Sequence, residues 1–275
     1  MGRESRRRAW ATAILLIPAA VQLFPLLYLV SMSFKVGGEV MAYPPRLLPN
    51  SLDWSNYAAA LRAAPLARFL LNSAVVACAI TALQVVTSVL AAFALARMEF
   101  RGKALAFALV VATMLVPGEV TLIPNYFTLA RLDWIDTYAG LIVPFSASGF
   151  GIFLLYQFFR SIPKELEEAA TLDGASRLRF LVQIAVPLSM PAVLAFGVYA
   201  FINAWNMYLW PLAVTQSTAM QTAQIGLGMF RSQNESVSWG VIMAATTILI
   251  SPTVLLFAAT QKQFVRGITM SGLKG

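Results

Sequence analysis

Residues 163–187 read PKELEEAATLDGASRLRFLVQIAVP. The stretch lies between apolar runs at 139–159 and 187–210, and its pieces are too short and too charged to cross a bilayer. Pro163 suits a first helical position, and Glu165, Glu167 and Glu168 load the first turns with charge that favours the positive end of a helix dipole. Leu166, Ala169 and Ala170 follow at i, i+3 and i+4 and make one small apolar face. Gly174 is a natural C-terminal stop, because it tolerates positive φ. Ser176 can cap a second helix with Leu178, Leu181 and Ala185 on one face. The expectation is helix, glycine turn, helix. By itself it fits two roles, an amphipathic linker resting on a membrane surface or a smooth face that a partner's cleft encloses.

Outward from this stretch the chain is apolar. It has 275 residues, 59% hydrophobic and 12% charged, with a mean hydropathy of +0.72, whereas soluble domains run near 45–50% apolar and about 25% charged. Six runs, at 10–34, 69–96, 104–127, 139–159, 187–210 and 240–261, are each long enough to span a hydrocarbon core of about 30 Å. Several hold proline (Pro18, Pro25, Pro117, Pro124, Pro144 and Pro252), tolerated where neighbouring helices satisfy the freed carbonyls. We expect an all-α polytopic membrane protein, one transmembrane domain over 1–275, with a cytoplasmic loop at 160–186. The apolar run after MGRESRRRAW exceeds a signal-peptide core and lacks a clear A-x-A site, so a retained first span is expected.

Charge sets the orientation. With both termini inside, 14 of the 20 basic and six of the 12 acidic residues fall on the inner side, which then carries the whole net charge of +8. That is the positive-inside pattern. The pI of 9.9 is thereby explained as a topology signal, with no need of a nucleic-acid partner. The outer loop 35–68 carries Lys35, Arg46, Arg62 and Arg68 against this trend, and its end reads as a short interfacial helix with snorkelling arginines.

The chain has no histidine and one cysteine, Cys78, which excludes an internal disulfide and a Cys/His metal site. It carries no G-x4-G-K-[ST] phosphate loop. Polar groups within spans mark candidate solute paths. Glu119 is the foremost: a carboxylate at mid-membrane costs about 2.5–3.5 kcal/mol, so it faces a cavity, a gate or a neighbouring helix. Asn203, Trp205, Asn206, Tyr208 and Trp210 form a second cluster. Amides and indoles suit sugar rings, and the same residues suit an aromatic belt at the interface. Asn125 and Tyr126 are further candidates.

The string Glu168-Ala169-Ala170, three residues, Gly174, nine residues, then Ile184-Ala185-Val186-Pro187 resembles the EAA loop of binding-protein-dependent ABC importers. This chain has Val186 where the family pattern usually has leucine. The resemblance runs along nearly the whole chain, through Asn72-Ser73, Ala91-Ala92-Phe93-Ala94-Leu95-Ala96-Arg97, Pro117 to Pro124, Thr137-Tyr138-Ala139-Gly140-Leu141, Ala204-Trp205-Asn206 with Trp210-Pro211-Leu212, and Phe264-Val265-Arg266-Gly267. It is closest to the smaller permease subunits of the carbohydrate-uptake class, of maltose and glycerol-3-phosphate type. The resemblance implies a type I ABC importer permease fold in a bacterial or archaeal inner membrane. It implies a second homologous permease, two cytoplasmic ATPase subunits that hold the ATP and Mg, an extracytoplasmic solute-binding protein, and no cofactor on this chain. It makes Glu168 the charged contact to the ATPase, Ala169 and Ala170 the packed face, Asp173 and Gly174 the turn, and Ile184 with Pro187 the anchor. It also sends the tail Gly267 to Gly275, with Lys274, toward the ATPases, although a frayed terminus fits that sequence equally, and the outer loop 212–239 (Gly226, Gly228, Gln233, Asn234) toward the binding protein.

Two other functions compete. A secondary transporter needs a coupling-ion site and usually inverted repeats; Glu119 could hold a proton, but no repeat or partner charge accompanies it. A membrane enzyme lacks any paired intramembrane carboxylates or histidine to work with. No span carries a central Lys or Arg for a phosphate, which favours a neutral saccharide over glycerol-3-phosphate as the solute.

Overall fold

The computed structural model describes residues 3–232 and 238–271, with side chains over 14–230 and 238–259. Among the described residues all regular structure is helical. The helices are α1 (Arg3–Ser33), α2 (Ser55–Ala63), α3 (Leu66–Arg97), α4 (Lys103–Thr113), α5 (Gly118–Arg131), α6 (Tyr138–Ile142), α7 (Gly149–Ser161), α8 (Lys164–Leu172), α9 (Arg177–Phe180), α10 (Val186–Leu188), α11 (Met190–Trp205), α12 (Leu209–Val214), α13 (Ala223–Ser232) and α14 (Trp239–Ser271). Short 3-10 turns occupy Gly37–Glu39 and Val143–Phe145, and a π-helical turn occupies Leu181–Ala185.

Three segments, Ile14–Ser33, Leu66–Arg97 and Trp239–Ala259, are unbroken helices long and apolar enough to cross a membrane. The expected continuous spans at 104–127, 139–159 and 187–210 are instead broken. α4 and α5 meet at 99°, the pieces 138–145 and 149–161 at 42°, and 177–188 and 190–205 at 80°. Proline explains the breaks. Pro117 caps α5 in extended conformation (ψ 135°) and has no N–H to continue α4. Pro144 lies in the 3-10 turn before the second break. Pro187 and Pro191 flank the third, and the π turn ahead of Pro187 widens the helix where the proline ring would meet the carbonyl of Gln183.

The chain forms two compact units, one of residues 1–67 and 226–252, the other of 68–225 and 253–275. In the first, the end of α1 is tied to α2. Lys35 is buried, donates to the Arg46 carbonyl and lies 5.2 Å from the Tyr28 ring centre. The buried Asn56 amide donates to the carbonyls of Ser33 (3.0 Å) and Lys35 (2.7 Å). Lys35 is thus a packed structural cation, not a surface one. Arg62 is exposed, as the snorkelling reading expects.

In the second unit α3 is the central element. Asn72 is fully buried; its amide donates to the carbonyls of Ala219 and Gln221, both at 2.8 Å, and its oxygen accepts from Tyr138 Oη at 2.7 Å. Ser73 Oγ accepts from Ala223 N and Arg68 Nε donates to the Ala219 carbonyl. Asp136, at a φ of +59°, closes the same clasp by accepting from the amides of Gln216 and Ser217 at 2.9 and 3.0 Å. Further along, Gln84 and Thr87 donate to the carbonyls of Phe145 and Ser146, both at 2.9 Å, and so satisfy backbone groups freed at the 42° break. Ser148 caps α7 by accepting from Gly151 N. The core beyond it gathers Phe93, Leu155, Phe159, Phe180, Leu181 and Phe196. Gly151 lets α7 and α11 touch, since a Cβ there would stand 2.1 Å from Phe196 Cζ.

Two outcomes are expected. Gly151→Ala must displace the fully buried Phe196 ring and destabilise the permease by about 1–3 kcal/mol, read as a lowered midpoint of thermal unfolding in detergent. Burial pushes the Asp136 carboxyl up, but bonds from the Ser217 hydroxyl and from the Ser217 and Gln216 amides outweigh it and hold the group below its ordinary 3.8. A depressed native value means the clasp's contribution is complete above about pH 4 and fades as pH falls through the native value. Hydrogen exchange at Gln216 and Ser217 is therefore unchanged from pH 8 to 5 and accelerates only in stronger acid.

Candidate functional site

Residues 163–187 fold as helix, turn, helix. Pro163 takes the cap position (φ −55°, ψ 140°) and α8 starts one residue later, at Lys164. Gly174 has φ +76°, and Ser176 Oγ accepts from Arg179 N at 3.3 Å to open α9. The faces differ from expectation. Ala170 is buried with Phe180, Leu181 and Ala185 in the core, while Ala169, Glu168 and Asp173 are exposed. The alanine pair therefore does not form a single surface, because adjacent helical positions point about 100° apart. Leu178, expected on the buried face with Leu181, is exposed, and Phe180 takes its place. Ile184 packs half-buried against the core and Pro187 is exposed.

One side chain fixes α8 that motif reading passed over. Arg97, the last residue of α3, is only 6% exposed. It donates through Nε and Nη2 to the carbonyl of Phe159 (3.0 and 2.7 Å) and through Nη2 to that of Ile162, the last carbonyls of α7. Its Nη1 reaches Glu167 Oε2 on α8 at 3.5 Å. A groove of about 660 Å³ beside this contact is lined by Ala96, Arg97, Glu99, Lys164, Glu167 and Glu168, among others. An arginine ending an apolar run reads in sequence as an interface anchor; only the fold brings α7 and α8 to it.

A second concavity, of about 370 Å³, opens at the α4–α5 break. Glu119 lies in the first turn of α5. With Asn125 from the next turn, and with Asn206 and Tyr208 from the gap between α11 and α12, it lines this pocket. Asn206 Oδ1 accepts from Gln224 Nε2 at 3.2 Å. Thr121, Phe145, Met207 and Trp210 complete much of the wall. No lysine or arginine lines it. Trp210 is buried and donates to the Gly140 carbonyl at 3.1 Å, so it is a wall fixed in place, not a belt residue. The other candidates lie elsewhere: Asn203 donates to the Tyr199 carbonyl on an exposed face, Trp205 is buried and stacked on Phe201, and Tyr126 packs edge-on to Phe127. Gln233, Asn234 and Lys274 fall outside the described residues, as does the tail from 272 on. Among the described residues no group of acidic, Cys or His side chains could hold a metal.

These features coincide with a known family. Residues 84–270 match the family described as "Binding-protein-dependent transport system inner membrane component", and the chain belongs to it. It is 34% identical over 267 residues to the sulfoquinovosyl glycerol transport system permease protein SmoH of Agrobacterium fabrum, covering 96% of this chain and 92% of that one. It is 36% identical over 277 residues to the sn-glycerol-3-phosphate transport system permease protein UgpE of Pectobacterium atrosepticum, covering 98% and 99%. A chain in the crystal structure of a bacterial ABC transporter involved in import of the acidic polysaccharide alginate superposes with a TM-score of 0.82 at 26% identity, over 96% of this chain and 99% of that one. The fold is that of a type I ABC importer permease, an inner-membrane transport subunit.

The αL conformation of Gly174, with open space around it, makes backbone strain the sole obstacle to substitution. Gly174→Asn is expected to be tolerated, whereas Gly174→Val costs about 1–2 kcal/mol or more. The check is the thermal midpoint of both variants in parallel.

Proposed function

We propose that this chain is one transmembrane permease domain of an ATP-driven importer for a sugar or sugar-like solute. In this reading it crosses the membrane six times, each bent pair counting as one span, with both termini cytoplasmic as the charge distribution favours. α8 and the following turn meet a cytoplasmic ATPase through Glu168, Ala169, Asp173 and Gly174, while Ala170, Ile184 and Pro187 root that segment in the bundle. ATP and Mg belong to two partner ATPases, and the chain itself catalyses nothing and binds no cofactor. A second homologous permease completes the pathway, and an extracytoplasmic binding protein delivers the solute.

The observation that carries this reading is the pocket at the helix breaks, which holds Glu119, Asn125, Asn206 and Tyr208 together with a fixed indole wall. Broken helices beside a cavity are where irregular backbone is tolerated in a membrane. Amides, a phenol and a carboxylate are hydrogen-bonding partners for hydroxyls. A lone carboxylate with no lining cation opposes an anion, so the pocket favours an uncharged, hydroxyl-rich solute. The second reading, glycerol-3-phosphate, is favoured by the likeness to UgpE, and in that case the cation that holds the phosphate comes from the partner permease.

Uptake in cells carrying the complete system tests both. Neutral oligosaccharides and glycerol-3-phosphate are compared as radiolabelled probes. Glu119→Gln and Asn206→Ala are expected to lower uptake about three- to tenfold, the loss of one or two hydrogen bonds to solute, with normal membrane insertion. Glu168→Lys is expected to lower uptake while leaving insertion intact. Full uptake in all three variants, or uptake that persists without ATP, would overturn the assignment.

A further inference from the structure

Arg97 joins three elements at one point. It extends from the end of α3, occupies the terminal carbonyls of α7 at Phe159 and Ile162, and pairs with Glu167 of α8. The guanidinium is nearly enclosed and Glu167 is 29% exposed. Below it, Phe93 of α3 touches both Phe159 of α7 (6.1 Å between ring centres) and Phe180 of α9 (6.2 Å). α8 is otherwise joined to the bundle by the chain at Ile162–Pro163, by Ala170, and by the turn beyond Gly174. Removing Glu167's charge therefore frees the first turns of α8 from α3 without uncovering the apolar core.

We propose that Arg97 is a positioning residue for transport: the Arg97–Glu167 contact carries displacement of α8 directly into the ends of α3 and α7. A planar, five-donor guanidinium can hold the α7 carbonyls and the α8 carboxylate together. Lysine, a point charge, cannot reproduce that geometry. When α8 moves, the ion pair draws α3 with it, and α3 in turn holds the 42° break through Gln84 and Thr87. This inference rests on reading α8 as the ATPase-docking helix.

The test is hydrogen exchange on the assembled importer in lipid nanodiscs, with and without Mg-ATP and vanadate, alongside ATP hydrolysis and complex yield. The wild type is expected to show a nucleotide-dependent change at 164–172 and at 89–97. In Glu167→Gln the change at 89–97 shrinks by about twofold or more, while ATP hydrolysis, yield and the change at 164–172 persist. Arg97→Lys gives an intermediate loss, and Arg97→Gln combined with Glu167→Gln loses no more than Arg97→Gln alone. A wild type with no change at 89–97, a Glu167→Gln response of wild-type size, or a Glu167→Gln complex that fails to assemble would each overturn the proposal. Glu168→Lys, on the exposed face, separates the two ideas. If it leaves the change at 164–172 intact, the docking reading fails; if it abolishes that change while Glu167→Gln behaves as wild type, only the role of Arg97 fails.

Discussion

Backbone polar groups in a hydrocarbon medium must find partners within the protein, and here one helix supplies many of them. Along α3, the side chains of Arg68, Asn72, Ser73, Gln84, Thr87 and Arg97 each bond to backbone of another segment. The segments they reach are the non-helical or terminal ones: the 215–222 connection, the 3-10 turn before α7, and the end of α7. Each would otherwise expose carbonyls or amides at a cost of several kcal/mol apiece. The broken helices that create the pocket of Glu119 and Asn206 are thus possible because an unbroken one lies beside them. A continuous helix meets its own hydrogen-bonding needs and leaves its side chains free for this work.

Packing in such a bundle draws little from the hydrophobic effect between helices, since lipid is as apolar as leucine. Close contact takes over that role. Gly151 admits the Phe196 ring, and the rings of Phe93, Phe159 and Phe180 meet at tilted and edge-on angles that suit their quadrupoles. The same cluster roots the α8–α9 segment in the bundle, so the polar segment has an apolar underside and a charged outer face. That division makes a protruding helix stiff enough to transmit a push instead of bending under it.

The pocket departs from what the named relatives suggest. Glycerol-3-phosphate and alginate are acidic, yet the lining here presents a carboxylate and neutral hydrogen-bonding groups with no cation. Sequence likeness at 34–37% identity fixes the family and fold while leaving the pocket wall free to change, because a few side chains at helix breaks decide solute chemistry whereas the whole bundle decides the fold.

Much was legible in the sequence by itself. Apolar runs of about 20 residues, with no room for a soluble core, determined a helical membrane protein. The charge asymmetry indicated an orientation. Gly174 and Ser176 marked the turn and cap at the positions they hold, since both act through local backbone geometry. Only tertiary structure decided the rest. It broke three of the six expected spans, because whether a proline kinks, ends or merely decorates a helix depends on which neighbours satisfy the freed carbonyls. It separated Ala169 from Ala170, and Glu119, Asn125, Asn206 and Tyr208 from Asn203, Trp205 and Tyr126, because the face a residue presents is set by the packing of its helix. It also made Arg97 the junction of three helices, a role no local pattern carries, since its partners lie 62 to 70 residues away in the chain.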